Sequence, residues 1–522
     1  MSFRLTYATM FNPPEEMHER FEKALAKVRG RLGQTHPMFI DGKDVTAAAT
    51  EERLSPIDSK ISIGRFPHAN AKEVDSAIAA AQRASAGWRD AGMAKRVALM
   101  RKVAGILEER VYEIAAALVF EVGKNRLEAL GEAQECVDFF NVYAEDFESH
   151  KGYEFDLPND PSNVFVSRNK SVMRPYGVWA VIAPFNFPIA LAAGPVAAAL
   201  VTGNTVVLKC ATDTPWAGRL LADCIRDAGL PPGVFNYVNG PGAEIGEQLV
   251  KDARVAGITF TGSVAVGRAI MGEIAKGAYP RPYIAEMGGK NPAIVTENAD
   301  LDRAAAGIAR SAYGMGGQKC SALSRLYVHE KVADALLGKI EKEIDKIKIG
   351  DPAERSTGLG PVVNKRAHES YARYVADLKG RGAKFRRGGK QPSEGMFARG
   401  YYVEPVLAEA ELSDPLWKHE MFLPILMVHR YRDREDAMRL ANDTDMGLTA
   451  GFYGSKDEIP WFQDGIQAGV IYANRGAGAT TGAWPGYQPF GGWKGSGSSG
   501  KAIASAYYLP LYLREQSRTV VD

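Results

Sequence analysis

From residue 171 to about residue 350, short apolar runs alternate with stretches of helical periodicity, and no other feature of the chain constrains its fold as tightly. Residues 178–182, 205–208, 234–238, 257–260 and 293–295 read as buried strands. Between them, residues 191–200, 216–228, 243–251 and 266–275 read as helices. Apolar strands separated by helices predict an α/β fold, a mostly parallel sheet with helices on both faces. A second block of this kind runs from residue 301 to about residue 473.

The flanks read differently. Residues 1–35 form a polar leader, with Met17, Phe21, Leu25 and Val28 at helical spacing. Residues 71–141 predict long helices, with Val74, Ile78 and Ala81, then Leu99, Val103 and Leu107, at three- and four-residue steps. Residues 157–163 carry turn chemistry. The glycine- and serine-rich residues 491–500 read as a flexible stretch before a terminal strand, 506–521, which is expected to add to a neighbouring subunit.

Composition excludes several classes. A chain of 522 residues buries large cores without disulfides or metals. With 64 basic against 62 acidic residues, it lacks the basic excess of a nucleic-acid binder. The most apolar stretch, 189–201, is too short to span a bilayer and is interrupted by Gly194 and Pro195. The N-terminus has no apolar signal core, so a cytoplasmic protein is expected. Cys136, Cys210, Cys224 and Cys320 form no CxxC, and the histidines form no HxxxH or HExxH, so no metal site is expected.

Certain segments carry chemistry. Cys320 follows Gly314, Gly316, Gly317 and Lys319; it reads as a nucleophile whose thiolate the lysine favours, or as a buried structural thiol. Glu286 ends an apolar strand before a Gly-Gly turn; it reads as a general base if burial raises its pKa, or as a solvated loop residue. Gly262, Ser263 and Gly267 follow a strand and open a helix, a geometry suited to a pyrophosphate and equally to a plain helix cap. Asn186, between two prolines, offers an amide to polarise a carbonyl oxygen, or satisfies its own turn.

In order, PFNFP (184–188), Lys209, FTGS with Gly267, EMGGKNP (286–292), GQKCS (317–321), EMFLP (420–424) and QPFGG (488–492) resemble the aldehyde dehydrogenase superfamily. Lys319, Ser321 and the Thr481-Gly482-Ala483 run narrow the resemblance to the branch that oxidises L-glutamate γ-semialdehyde, the 1-pyrroline-5-carboxylate dehydrogenases of proline degradation. The length leaves no room for an attached proline dehydrogenase or DNA-binding domain.

The resemblance implies a Rossmann-like NAD-binding domain (1–150 and 174–287), an α/β catalytic domain (288–495) and a small β oligomerisation flap (151–173 and 503–522). It implies Cys320 as nucleophile, Asn186 as oxyanion donor and Glu286 as hydrolytic base. It places Lys209, Thr212, Gly262, Ser263, Gly267, Glu420 and Phe422 at NAD, and Lys319, Ser321, Gly482, Ala483 and Phe490 at the substrate. Thr212 stands where many members carry a glutamate that repels a 2′-phosphate, which leaves NADP open. The resemblance also implies a dimer with exchanged tails or a higher assembly of dimers. Another acidic semialdehyde, succinic or aminomuconic, is the alternative substrate.

Overall fold

A computed structural model describes residues 5–6, 13–162 and 164–521. Two seven-stranded sheets dominate it. In the first, Tyr283–Glu286, Val255–Thr261, Val178–Ile182, Thr205–Lys209 and Phe235–Val238 run parallel in that spatial order. Met38–Ile40 pairs antiparallel with Phe235–Val238, and a hairpin to Lys43–Val45 completes the sheet. Thr205–Lys209 is buried along its whole length, as a strand covered on both faces must be. The order reverses between Val178–Ile182 and Val255–Thr261, and the crevice at the carboxyl ends of such strands is where open α/β sheets bind ligands.

The second sheet orders Lys384–Arg387, Val406–Glu409, Ile425–Tyr431, Leu323–His329, Asn291–Val295, Thr449–Tyr453 and Val470–Ala473, all parallel except the first. The helical region 71–141 resolves into Ala71–Asp90, Met93–Glu109, Val111–Val122 and Arg126–Ser149. Asn70 and Glu73 form a capping box on the first of these, while left-handed Gly123 ends the third and Asn125 caps the fourth. The expected helix over 243–251 begins as a π turn, Gly242–Gly246.

In the leader, Glu15–Arg29 is a helix burying Met17, Phe21, Leu25 and Val28, with glutamates in its first turn and basic residues in its last. The leader residues 1–4 and 7–12, and Asn163 of the expected turn, lie outside the described residues.

One expectation about the C-terminal region changes. The 491–500 stretch is not a flexible spacer. Trp493–Lys494 pairs with Met446–Gly447, and Ser496 to Ser498 then run along Tyr283–Glu286. Serine hydroxyls and glycine backbone supply the close bonds that a flexible linker would leave to water. The terminal strand, Leu513–Val521, pairs antiparallel with Ser167–Pro175 of its own chain. With Glu154–Leu157 on the far side of Ser167–Pro175, it makes a three-stranded sheet.

Candidate active site

Helix Leu301–Tyr313 runs into the tight turn Gly314–Gly317, which delivers Cys320. Gly317 has a φ of 66°, and a Cβ there would overlap the Leu423 carbonyl, so glycine is required. Asn291 clamps the loop from the second sheet: its side-chain amide donates to the carbonyls of Cys320 (2.7 Å) and Ala322 (2.8 Å). Gly289 packs so closely that a Cβ would overlap the Cys320 carbonyl. The EMGGKNP and GQKCS segments therefore form one unit.

Cys320 is half-buried, whereas Cys136, Cys210 and Cys224 are buried. Burial pushes the Cys320 thiol up to about 12, and the carboxyls of Glu420 and Glu286 push the same way. The expected activation by Lys319 is corrected: Lys319 Nζ donates to Glu128 Oε1 at 2.8 Å, and that carboxylate answers its charge.

Glu286 ends its strand and is 6% exposed. Its Oε2 is buried without a hydrogen-bond partner, and burial alone holds the carboxyl well above the usual range. It is not a solvated loop glutamate. A carboxyl raised in this way suits a general base, whose pKa works best near the operating pH. Asn186 is buried in the loop before helix Ala190–Val201.

Lys319, Cys320, Ser321, Gly482, Ala483 and Phe490 line a single cavity. Asn186 and Glu286 are not part of that lining. Thr480 fastens one wall to the nucleophile loop by donating to the Ser321 carbonyl at 2.7 Å. Gly482 has a φ of 118°, and a Cβ there would overlap the Arg475 guanidinium. That guanidinium donates to the carbonyls of Thr481 (2.9 Å) and Gly482 (3.3 Å), fixing the loop. The bulk of Trp484 is accounted for: its indole N–H donates to Asp138 Oδ2 at 2.6 Å, making it a pinned wall of the cavity.

On the dinucleotide side, Ser263 caps helix Val264–Ile274, its hydroxyl accepting from the Val266 N–H at 3.4 Å. The first turn of that helix has no acidic residue, so no carboxylate of its own opposes an anion at this helix end. Gly262 lies beside the Phe260 ring, where a Cβ would not fit. Gly267 serves packing, because a Cβ there would overlap Met287 Sδ. Lys209 is buried, and its Nζ donates to the Cys210 carbonyl at 2.9 Å. Thr212 is half-buried on the turn that follows. Glu420 Oε1 accepts from the Gly289 N–H at 2.8 Å, and burial pushes its carboxyl up to about 7. Phe422, at a φ of 57°, sets its ring edge-on to Phe185 with centroids 5.7 Å apart. The helix end free of acidic residues, the orphaned Glu286 oxygen and the Glu420 cradle at Gly288 fit a dinucleotide with its reactive end near Cys320.

Sequence reasoning missed Asn291, Thr480 and Arg475, whose roles are bonds to backbone. It also missed Glu128, Glu132 and Glu135, although their spacing on helix Arg126–Ser149 places them on one face. Glu135 lines the cavity.

The aldehyde dehydrogenase family model matches residues 45–517. A 1-pyrroline-5-carboxylate dehydrogenase from a Geobacillus species is 36% identical over 515 residues, covering 97% of each chain. One from Staphylococcus saprophyticus is 36% identical over 498 residues, covering 94% of each. The crystal structure of the Thermus 1-pyrroline-5-carboxylate dehydrogenase with bound NAD superposes with a TM-score of 0.93 at 33% identity, covering 100% of this chain and 99% of that one. This chain, with its cysteine turn clamped by the segment that follows a buried glutamate, belongs to the aldehyde dehydrogenase family.

Proposed function

We propose that this protein oxidises L-glutamate γ-semialdehyde, the open form of 1-pyrroline-5-carboxylate, to L-glutamate with NAD, in proline degradation. The observation that carries this reading is the single cavity joining Cys320 to Lys319, Ser321, Gly482, Ala483 and Phe490. The N–H groups of Gly482 and Ala483 and the Ser321 hydroxyl receive the substrate's carboxylate, and Phe490 packs on its aliphatic stem. Glu135 brings a carboxylate to the same cavity, a fit for the α-ammonium. The names of the relatives support the same substrate.

NAD, when bound, supplies the hydride acceptor. Ser263 and its helix hold the pyrophosphate, Lys209 and Thr212 lie toward the adenosine ribose, and Glu420 with Phe422 toward the nicotinamide ribose. Cys320, as thiolate, attacks the aldehyde carbon and forms a thiohemiacetal. The Asn186 amide donates to the oxyanion, a contribution of roughly 10²–10³ in rate. Loss of hydride leaves a thioester on Cys320. Glu286 takes a proton from the water that cleaves it, releasing the acid and restoring the thiol.

Residues 1–150 and 174–287 are read as the NAD-binding domain and 288–495 as the catalytic domain. Segments 151–173 and 503–522, which supply most of the three-stranded sheet of Glu154–Leu157, Ser167–Pro175 and Leu513–Val521, are read as the surface through which copies form a dimer or an assembly of dimers. The setting proposed is the cytoplasm; no helix among the described residues is long and apolar enough to cross a membrane.

Steady-state kcat/KM with NAD across glutamate semialdehyde, succinic semialdehyde, propanal and benzaldehyde tests the reading. A preference of 10²-fold for glutamate semialdehyde, about 2.7 kcal/mol, is expected. A flat profile, or a preference for succinic semialdehyde, refutes the substrate and leaves the cysteine chemistry standing.

A further inference from the structure

Helix Ala190–Val201 begins directly behind the Asn186 loop and carries no side-chain cap of its own. Its leading N–H groups need a partner. Glu132 supplies it from helix Arg126–Ser149: its Oε1 accepts from the N–H groups of Ile189 (3.0 Å) and Ala190 (3.2 Å). The other oxygen, Oε2, pairs with Lys124 Nζ, and neither side chain has any solvent exposure. Lys124 Nζ also stands 3.6 Å over the centre of the Phe187 ring, the residue after Asn186. Phe187 in turn closes the start of the helix, its carbonyl accepting from the Leu191 N–H at 3.0 Å.

One buried ion pair thus grips the Asn186 loop in two ways, by the ring that follows the asparagine and by the backbone beyond it. A buried pair is a poor source of stability, because apolar groups of the same volume do as well. It is a good source of fixed geometry, because neither charge has another place to go. We propose that Lys124 and Glu132 are positioning residues for the reaction, holding Asn186 where the oxyanion forms. The inference rests on the role given to Asn186 above, not on the identity of the aldehyde.

A double-mutant cycle tests it. Glu132→Gln and the charge-free pair Lys124→Met/Glu132→Gln are each made in the parent and in Asn186→Ala, and assayed with propanal and with glutamate semialdehyde. In the parent, kcat should fall about tenfold or more, toward the loss expected for an oxyanion donor. KM for the aldehyde and binding of NAD should stay within about twofold, and iodoacetamide should alkylate Cys320 at an unchanged rate, since that reaction uses no oxyanion donor. In the Asn186→Ala background the kcat loss should vanish, the mark of residues acting through one another. The same fold-loss in both backgrounds, or an undiminished kcat in the parent, overturns the proposal. If Glu132→Gln does not fold, the charge-free pair is read alone. If it also fails, Glu132→Asp, which keeps the charge but draws it back by one methylene, is read in the same cycle. Failure of glutamate semialdehyde alone, with propanal still turned over, refutes the substrate and leaves the cycle readable.

Discussion

Ser498 and Ala285 are bonded in both directions: the Ala285 N–H donates to the Ser498 hydroxyl at 2.8 Å, and the Ser498 N–H donates to the Ala285 carbonyl at 3.1 Å. The same hydroxyl donates to the Tyr283 carbonyl at 2.8 Å, and the Met287 N–H donates to the Ser496 carbonyl at 2.8 Å. Glu286 is therefore bracketed on both sides by a segment that comes from the far end of the chain.

This bracket predicts a selective defect in Ser498→Ala. Unsatisfied partners cost roughly 1–3 kcal/mol, so melting should fall by roughly 1–3 °C in a chain of this size. The burst of NADH, which needs only Cys320 and Asn186, should persist, while steady turnover, which needs the base in place, should drop. Glu286→Gln should show the extreme case, a burst and then a stall at the thioester. Stopped-flow absorbance at 340 nm reads both phases, and a burst that shrinks in step with turnover would break the link to the base.

The pH dependence of Cys320 follows from its surroundings. The folded protein holds the thiol at about 12, above its ordinary value of 9.0, so the protonated form dominates at neutral pH without cofactor. Thiolate then rises tenfold per pH unit. Alkylation by iodoacetamide should climb from pH 7 to 10 with no plateau, and Cys320→Ala should remove it. A plateau near pH 8 would place the thiol in an environment different from the one described.

Trp484→Phe deletes the indole donor to Asp138. A hydrogen bond to a charged group is worth roughly 1.5–3 kcal/mol, and thermal melting should report a loss of that order. Because Gly482 and Ala483 lie just ahead on the same loop, KM for glutamate semialdehyde should rise while KM for propanal moves little. Equal changes for the two aldehydes would detach Trp484 from carboxylate capture.

Thr212→Glu tests the choice between NAD and NADP. A carboxylate on that turn repels a 2′-phosphate, so kcat/KM with NADP should fall about tenfold or more, about 1.4 kcal/mol, with NAD little affected. Equal effects on both cofactors would remove Thr212 from the adenosine ribose.

The fold was legible because its strands are apolar on both faces and short. The reading of 178–182 matches Val178–Ile182, and 205–208 falls short of its strand, Thr205–Lys209, by one residue. Cys320 and Glu286 stood out because glycine flanks each. What stayed hidden was held by backbone and by partners distant in sequence. Nothing near Asn291 says that its amide reaches Cys320, and nothing near Lys319 says that Glu128 claims it. The glycines and serines of 491–500 misled for a physical reason: the composition that makes a chain flexible in water also lets backbone lie tight against another strand.

That late ribbon imposes an order on biosynthesis. When the ribosome has made residues 1–480, the nucleophile and its clamp are already encoded, but the segment that aligns the base is still to come. A chain cut short there would carry the cysteine and the buried glutamate but lack Gly482, Ala483 and Phe490 of the cavity wall, as well as the ribbon that brackets the glutamate. The wall that seats the aldehyde and the ribbon that aligns the base are thus made together, so capture and release both wait on the residues after 480.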